Sequence, residues 1–189
     1  MSCIIALTGP KGSGKDTVAR MLVQHGTKHG KRVKTVAFAD PIKKEVQRIF
    51  DLNPDNNDQY DLFKRIDITY RLHGHLEHTV SGRQIVREIG MLMRSYNDKQ
   101  FNDYVMNQVR SDPYAWWVVT DLRFQNEYDM ISSFRNAFFV KIKRPMIVYD
   151  GHVTETEFPD HMISHIINND STLEVLENKV QKFVEEQLL

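Results

Sequence analysis

Apolar and polar positions follow two rhythms along this chain. Short runs at 4–8, 33–38, 116–120 and 137–142 are apolar almost throughout, which predicts buried strands, and 165–168 predicts a short fifth. Between them, apolar residues recur at helical spacing. Val18, Met21 and Leu22 share one face of 15–29. Ile85, Val86, Ile89, Leu92, Met93 and Tyr96 share one side of 81–96, and Phe101, Tyr104, Val105 and Val109 one face of 99–110. Residues 124–135 read as helix, and 172–188 close the chain through Leu173, Leu176, Val180, Phe183 and Leu188. Asp40 is expected to cap another helix, with Pro41 in its first turn. The polar stretch 51–61 reads as a loop, 62–80 fits neither period, and 145–161 is irregular. Strands alternating with helices predict a parallel sheet covered on both faces. No internal repeat, low-complexity segment or linker interrupts the pattern, so one domain is expected.

Composition narrows the partners. The chain has 189 residues, 41% hydrophobic and 26% charged, as expected of a globular protein. Its 25 basic and 25 acidic residues cancel, which excludes a whole-chain polycation; any anion site must be local. The single cysteine, Cys3, allows no intrachain disulfide and no Cys-rich zinc site, and fits a reducing, cytoplasmic setting and a place in the core. No apolar run approaches the ~20 residues of a membrane helix, and no positive charge precedes the first apolar run as in a signal peptide.

The candidate chemistry begins after the first strand, at Gly9-Pro10-Lys11-Gly12-Ser13-Gly14-Lys15-Asp16-Thr17. Gly9, Gly14 and Lys15 fit a phosphate-binding loop, and the flanking strand and helix supply the context that motif requires. Glycines let successive N–H groups turn inward around phosphate oxygens, and the helix N-terminus adds a favourable dipole. Lys15 reaches the outer phosphates. The next position normally carries Ser or Thr for Mg²⁺; here it is Asp16. Its carboxylate suits a hard cation, directly or through water, and equally suits a helix N-terminus. The strand 116–120 ends at Asp121, either a turn residue or an acid that orients the metal and its waters. Arg123 follows where ligands bind in open α/β sheets.

A second cluster lies on the helix 81–96. At 100° per residue, Arg83, Arg87, Gly90 and Arg94 share a narrow stripe away from the apolar face. Like charges four apart repel, and a mid-helix glycine costs up to about 1 kcal/mol relative to Ala. Such a stripe marks either an anionic ligand lying along it or a solvated basic face.

These motifs together resemble the bacteriophage deoxynucleoside monophosphate kinases. The match runs in order through the loop at 9–17, Asp40-Pro41-Ile42-Lys43, Ser81, Arg83, Gly90, Asp121-x-Arg123-x-x-x-Glu127, Arg144-Pro145, His152-x-Thr154-Glu155, Asn168-x-Asp170-Ser171 and the last helix. It departs in 51–80, which is shorter, and at Met91-Leu92, where the family has a Thr-acidic pair. The resemblance implies a phosphate-loop α/β three-layer sandwich. Five parallel strands in the order 2-3-1-4-5 would carry helices on both faces. A single domain would comprise a core (1–50 and 110–189), an acceptor-binding helical region (about 51–110) and a lid (about 145–161). It implies transfer of the ATP γ-phosphate to a deoxynucleoside 5′-monophosphate. Gly12, Ser13, Gly14, Lys15, Asp16, Thr17 and Arg144 would hold ATP, and Asp16 and Asp121 would hold Mg²⁺. Lys15, Asp121, Arg123 and Arg144 would carry catalysis. Lys11, Asp40, Lys43, Arg83, Arg87, Gly90, Asp121, Arg123 and Glu127 would serve the acceptor. Arg83 would grip its 5′-phosphate, with Arg87 assisting on the ground of helix geometry alone and Arg94 peripheral; Glu127 equally suits a helix-surface salt bridge. Thr154 and Glu155 would lie in the lid. A monophosphate is already an ionised nucleophile, so positioning and charge neutralisation suffice. Expected partners are ATP and the monophosphate, with no nucleic acid and no membrane, in a homodimer in the cytoplasm (that of the host, if phage-encoded).

Rival readings remain. Animal-type phosphomevalonate kinases share a Ser-Gly-Lys-Asp loop. A non-catalytic nucleotide-binding module needs only the loop. A nucleotide switch is disfavoured because Asn178-Lys179 runs into Val180-Gln181 rather than the guanine-reading motif, and no basic stripe marks a nucleic-acid motor. His73-Gly74-His75-Leu76-Glu77-His78 fits no single metal geometry and reads as a polar substrate-side segment. The basic run 28–34 reads as a solvated turn, and Trp116 and Trp117 as sheet core.

Overall fold

A computed structural model describes residues 3–72, 76–147 and 158–189. In chain order the elements are β1 (Cys3–Thr8), α1 (Lys15–Lys28), β2 (Val33–Val36), α2 (Asp40–Ile49), α3 (Asn57–Phe63), β3 (Asp67–Leu72), β4 (Leu76–Ser81), α4 (Gly82–Tyr96), α5 (Lys99–Ser111), β5 (Trp116–Val119), α6 (Gln125–Ser132), β6 (Ala137–Lys143), β7 (His165–Asn168) and α7 (Leu173–Phe183), which continues as a π-helical turn. The chain divides into two compact units, Met1–Phe38 with Tyr104–Leu189, and Ala39–Asp103. The helix α2, placed with the core on sequence, belongs to the second unit, and the boundary at 103 falls within α5.

In the first unit the five strands β2-β5-β1-β6-β7 form one parallel sheet. Counted alone they run in the order 2-3-1-4-5; the two additional strands, β3 and β4, stand apart as their own sheet. One face is built from Cys3, Ile5, Leu7, Val118, Val140, Ile142 and Ile167, packed against Val18 and Leu22 of α1 and Leu176, Val180 and Phe183 of α7. The alternate residues Ile4, Ala6, Trp117 and Val119 are buried as well, so the sheet is covered on both sides and its strands need no polar face. On that second face Tyr128 of α6 stacks on Phe139, centroids 4.1 Å apart. Asp112, just before β5, receives Arg32 Nη1 and Lys34 Nζ, each at 2.9 Å, and its carbonyl accepts Trp117 Nε1 at 3.1 Å. Lys31 and Lys34 lie over the rings of Trp116 and Trp117, so part of the basic run expected as a solvated turn is anchored.

The second unit corrects the reading of 51–80. Within the expected loop 51–61, α3 begins, capped by Asn56, whose Oδ1 accepts the N–H groups of Asp58 and Gln59. The aperiodic stretch 62–80 holds the antiparallel hairpin β3–β4, carrying the exposed pairs Thr69–Thr79 and Arg71–Glu77. Val46, Tyr60 and Phe63 form this unit's core with Ile42, Ile68, Ile85, Val86 and Ile89. The apolar side of α4 is only half used: Leu92 and Tyr96, expected inside, are 57% and 84% exposed. Leu173 is exposed too, because it opens the first turn of α7 after the Thr172 cap. Asp40 is not the cap of α2; Ala39 takes that place with no side-chain cap, and Asp40 sits in the first turn. His73, His75, His152, Thr154, Glu155 and most of the expected lid lie outside the described residues. Among the described residues no helix is long and apolar enough to cross a membrane.

Candidate active site

The glycine-rich loop joins β1 to α1, with Gly9, Gly12 and Gly14 all at positive φ (140°, 81° and 106°). Gly12 occupies the third place of a turn closed by Ser13 N donating to the Pro10 carbonyl at 3.1 Å. A side chain at Gly9 would put its Cβ 2.5 Å from the Ile142 carbonyl oxygen, so the loop must pass that close to β6. Side chains supply donors to the loop carbonyls. Lys15 Nζ donates to the Gly9 and Pro10 carbonyls at 2.6 and 2.9 Å. Arg144, just past β6, donates from Nη1 to the Gly12 carbonyl at 3.2 Å. Asn169, just past β7, donates from Nδ2 to the Ser13 carbonyl at 2.9 Å. Ser13 Oγ is buried with no partner among the described residues. The carbonyls of Gly9, Pro10, Gly12 and Ser13 are thus all engaged by side chains, in a glycine-rich loop of the kind whose amides cradle anions.

The other expected donor-side groups surround this loop in sequence. Lys11 and Asp16 are exposed, and Thr17 Oγ1 accepts Arg20 Nη2 at 3.5 Å. Asp121 follows β5, and its Oδ1 accepts the Phe38 N–H at 2.7 Å, tying the ends of β2 and β5 together. Glu127 is fully buried. Its carboxylate accepts the Arg123 and Phe124 amides at 2.9 and 3.1 Å, so it caps α6 and fixes the Arg123 backbone. Neither an exposed salt bridge nor a solvent-facing carboxylate describes it. On β6, Lys141 is buried, with Nζ on the Phe158 carbonyl at 2.9 Å and on Asp160 Oδ1 at 3.0 Å.

Within the second unit, Asp40, Lys43, Arg83 and Tyr60 form one neighbourhood. Lys43 bonds Asn57 Oδ1 and lies over the Tyr60 ring at 5.5 Å; Lys64 covers the same ring at 4.6 Å. Burial pushes the Tyr60 hydroxyl up to about 12, helped by the Asp61 and Asp40 carboxylates and opposed by Arg83. Arg87 lies one turn further along α4. Gly90 is not a place of ligand approach: a Cβ there would sit 2.8 Å from Ile42 Cδ1, so this glycine lets α2 and α4 pack closely. Arg94 pairs with Asp98 at 3.3 Å and stacks on Phe101 at 4.2 Å, a structural position.

Comparison with known proteins decides the family. The model of the deoxynucleotide monophosphate kinases matches residues 80–180, just over half of the chain. This chain belongs to that family. A protein of Acanthamoeba polyphaga mimivirus, provisionally named a deoxynucleotide monophosphate kinase, is 28% identical over 177 residues, 82% of this chain and 81% of its own. A solved sugar kinase from Janibacter sp. HTCC2649 aligns over 98% of this chain and 95% of its own, but at 14% identity and a TM-score of 0.45 the likeness is too loose to bear on fold or chemistry.

For a kinase of this family the donor set fits a magnesium nucleotide. Among the described residues no three His, Cys, Asp or Glu side chains gather as a metal site. Mg²⁺ on a triphosphate needs none, since one or two carboxylates, phosphate oxygens and waters complete its shell. Asp16, exposed in the first turn of α1, and Asp121 are the carboxylates such an ion would use. Sequence reasoning missed Asn169 and Tyr60. Asn169 was legible as the residue leaving a parallel strand at the end where ligands bind. Tyr60 was not, since it lay in the polar stretch 51–61 read as a loop.

Proposed function

We propose that this kinase transfers the γ-phosphate of ATP to a deoxynucleoside 5′-monophosphate, giving the diphosphate used as a DNA precursor. The observation that carries this reading is the loop itself: three left-handed glycines, carbonyls engaged by Lys15, Arg144 and Asn169, and the N-terminus of α1 following them. Lys15, Arg144 and Arg123 are the cations offered to the transferring phosphoryl group, whose catalysis is positioning and charge stabilisation. Mg²⁺, held by Asp16 and Asp121 with phosphate oxygens, supplies further charge neutralisation. Arg83, beside the buried Tyr60, with Arg87 assisting, holds the acceptor phosphate; Lys11, Asp40 and Lys43 serve the acceptor's remaining groups. The family and the mimivirus relative support the monophosphate acceptor.

The test is a coupled ADP-release assay against each common deoxy- and ribonucleoside monophosphate, with 5-phosphomevalonate in parallel. ADP release that requires Mg²⁺ and a deoxynucleoside monophosphate is expected. Turnover with 5-phosphomevalonate alone, or none with any acceptor, overturns the proposal.

A further inference from the structure

Asn169 stands at the end of β7, held in place from three sides. Its own N–H donates to the Lys143 carbonyl at 2.7 Å. On either side of it in sequence, Lys179 Nζ from α7 holds the Asn168 carbonyl at 2.7 Å and Asp170 Oδ1 at 2.6 Å. The side chain therefore reaches the loop from a braced base. Its Nδ2 meets the Ser13 carbonyl at 2.9 Å and lies 2.5 Å from where a Cβ on Gly14 would be, so it approaches that closely only because residue 14 is glycine.

A trans peptide is planar, and its C=O and N–H point in opposite directions. Drawing the Ser13 carbonyl toward Asn169 therefore turns the Gly14 N–H the other way. Gly14 sits at φ 106° and has no Cβ to resist a different orientation. The buried Ser13 hydroxyl has no partner among the described residues. The other loop carbonyls are held by Lys15 and Arg144, the two cations that a triphosphate competes for. Asn169 is the neutral donor in the set and has no such competing demand.

We propose that Asn169 is a positioning residue for the phosphate donor: by holding the Ser13 carbonyl it keeps the Ser13–Gly14 peptide turned with its N–H toward the phosphates. This rests on the reading of the loop as a nucleotide site. The test is calorimetric titration of the full chain with Mg²⁺-ATP, together with steady-state kinetics, for wild type, Asn169→Ala and Asn169→Asp. Asp keeps the shape but sets an acceptor against an acceptor, which guards against a variant lost merely to packing. Both substitutions should weaken ATP binding and raise the ATP KM on the order of tenfold, as loss of one positioning hydrogen bond does. The acceptor KM and the melting temperature without nucleotide should stay near wild type. If wild type binds ATP and both variants bind it equally well, the inference falls and the loop reading stands. If the variants melt early but bind ATP normally, Asn169 is only a packing residue and the inference also falls. If wild type binds no nucleotide, both fall together.

Discussion

At the scale of single residues, the glycine-rich loop turns on Lys15, which bonds the Gly9 and Pro10 carbonyls at 2.6 and 2.9 Å. Lys15 was legible because its motif fixes both its neighbours and its context, and the structure puts its ammonium on the loop carbonyls. Lys15→Ala should lower turnover on the order of 100- to 1000-fold, the usual cost of losing one preorganised charge-stabilising group. Its melting temperature should stay close to wild type, and calorimetry beside the coupled assay checks both. Glu127 shows the opposite case. An acid four residues after Arg123 reads equally as ligand or surface ion pair, and only burial shows that its carboxylate is occupied by two amides of its own helix start. Gly90 misled for a similar reason. A glycine in a basic stripe looks like room for a ligand until the neighbouring helix supplies Ile42 to fill that room.

At the scale of elements, strongly periodic segments were legible and short ones were not. The strands β1 and β5 stand out because strands buried on both faces have no polar alternation to confuse with helix. The hairpin β3–β4 was hidden because its exposed pairs leave little apolar signal. Its junction with α4 is sterically exacting. A Cβ on Gly82 would lie 1.9 Å from the Phe63 carbonyl oxygen, a backbone atom that cannot step aside. Gly82→Ala should therefore destabilise by about 3 kcal/mol or more in urea titrations. Gly90→Ala should be close to neutral by the same measure, since only the tip of Ile42 has to move and the helix gains up to about 1 kcal/mol in propensity. The edge of the sheet makes a pH prediction. Hydrogen bonds from Lys34, and then from Arg32, lower the Asp112 carboxyl from 3.8 to about 2. A depressed acid stabilises the fold in its charged form, so its contribution is complete above pH about 4 and is lost as the pH falls toward 2. Asp112→Asn should remove this part of the acid-induced loss, seen as a flatter fall of melting temperature over that window.

For the whole molecule, the division into two units gives the kinetics a clear expectation. Lys15, Arg144 and Asn169 lie in the first unit, Arg83 and Arg87 in the second. Arg83→Ala should raise the acceptor KM about 10- to 100-fold, the range for a lost hydrogen bond to a charged group, while the ATP KM changes less than about twofold. A rise in the ATP KM alone would assign α4 to the donor. The unit boundary itself was not legible, because nothing in composition marks residues 39 and 103; what separates the units is which residues pair, not what they are. That pairing also has a consequence for how the chain is made. The central strand β1 joins β5 through Cys3 and Trp116, and β6 through Ile4 and Ala137. On a growing chain β1 thus waits for partners made more than a hundred residues later, while the second unit is made of neighbours in sequence and is free to assemble before them. Translation at about 5–20 residues per second sets that wait at several seconds or more. Over this interval β1, apolar in all but its last residue, needs shelter from other chains.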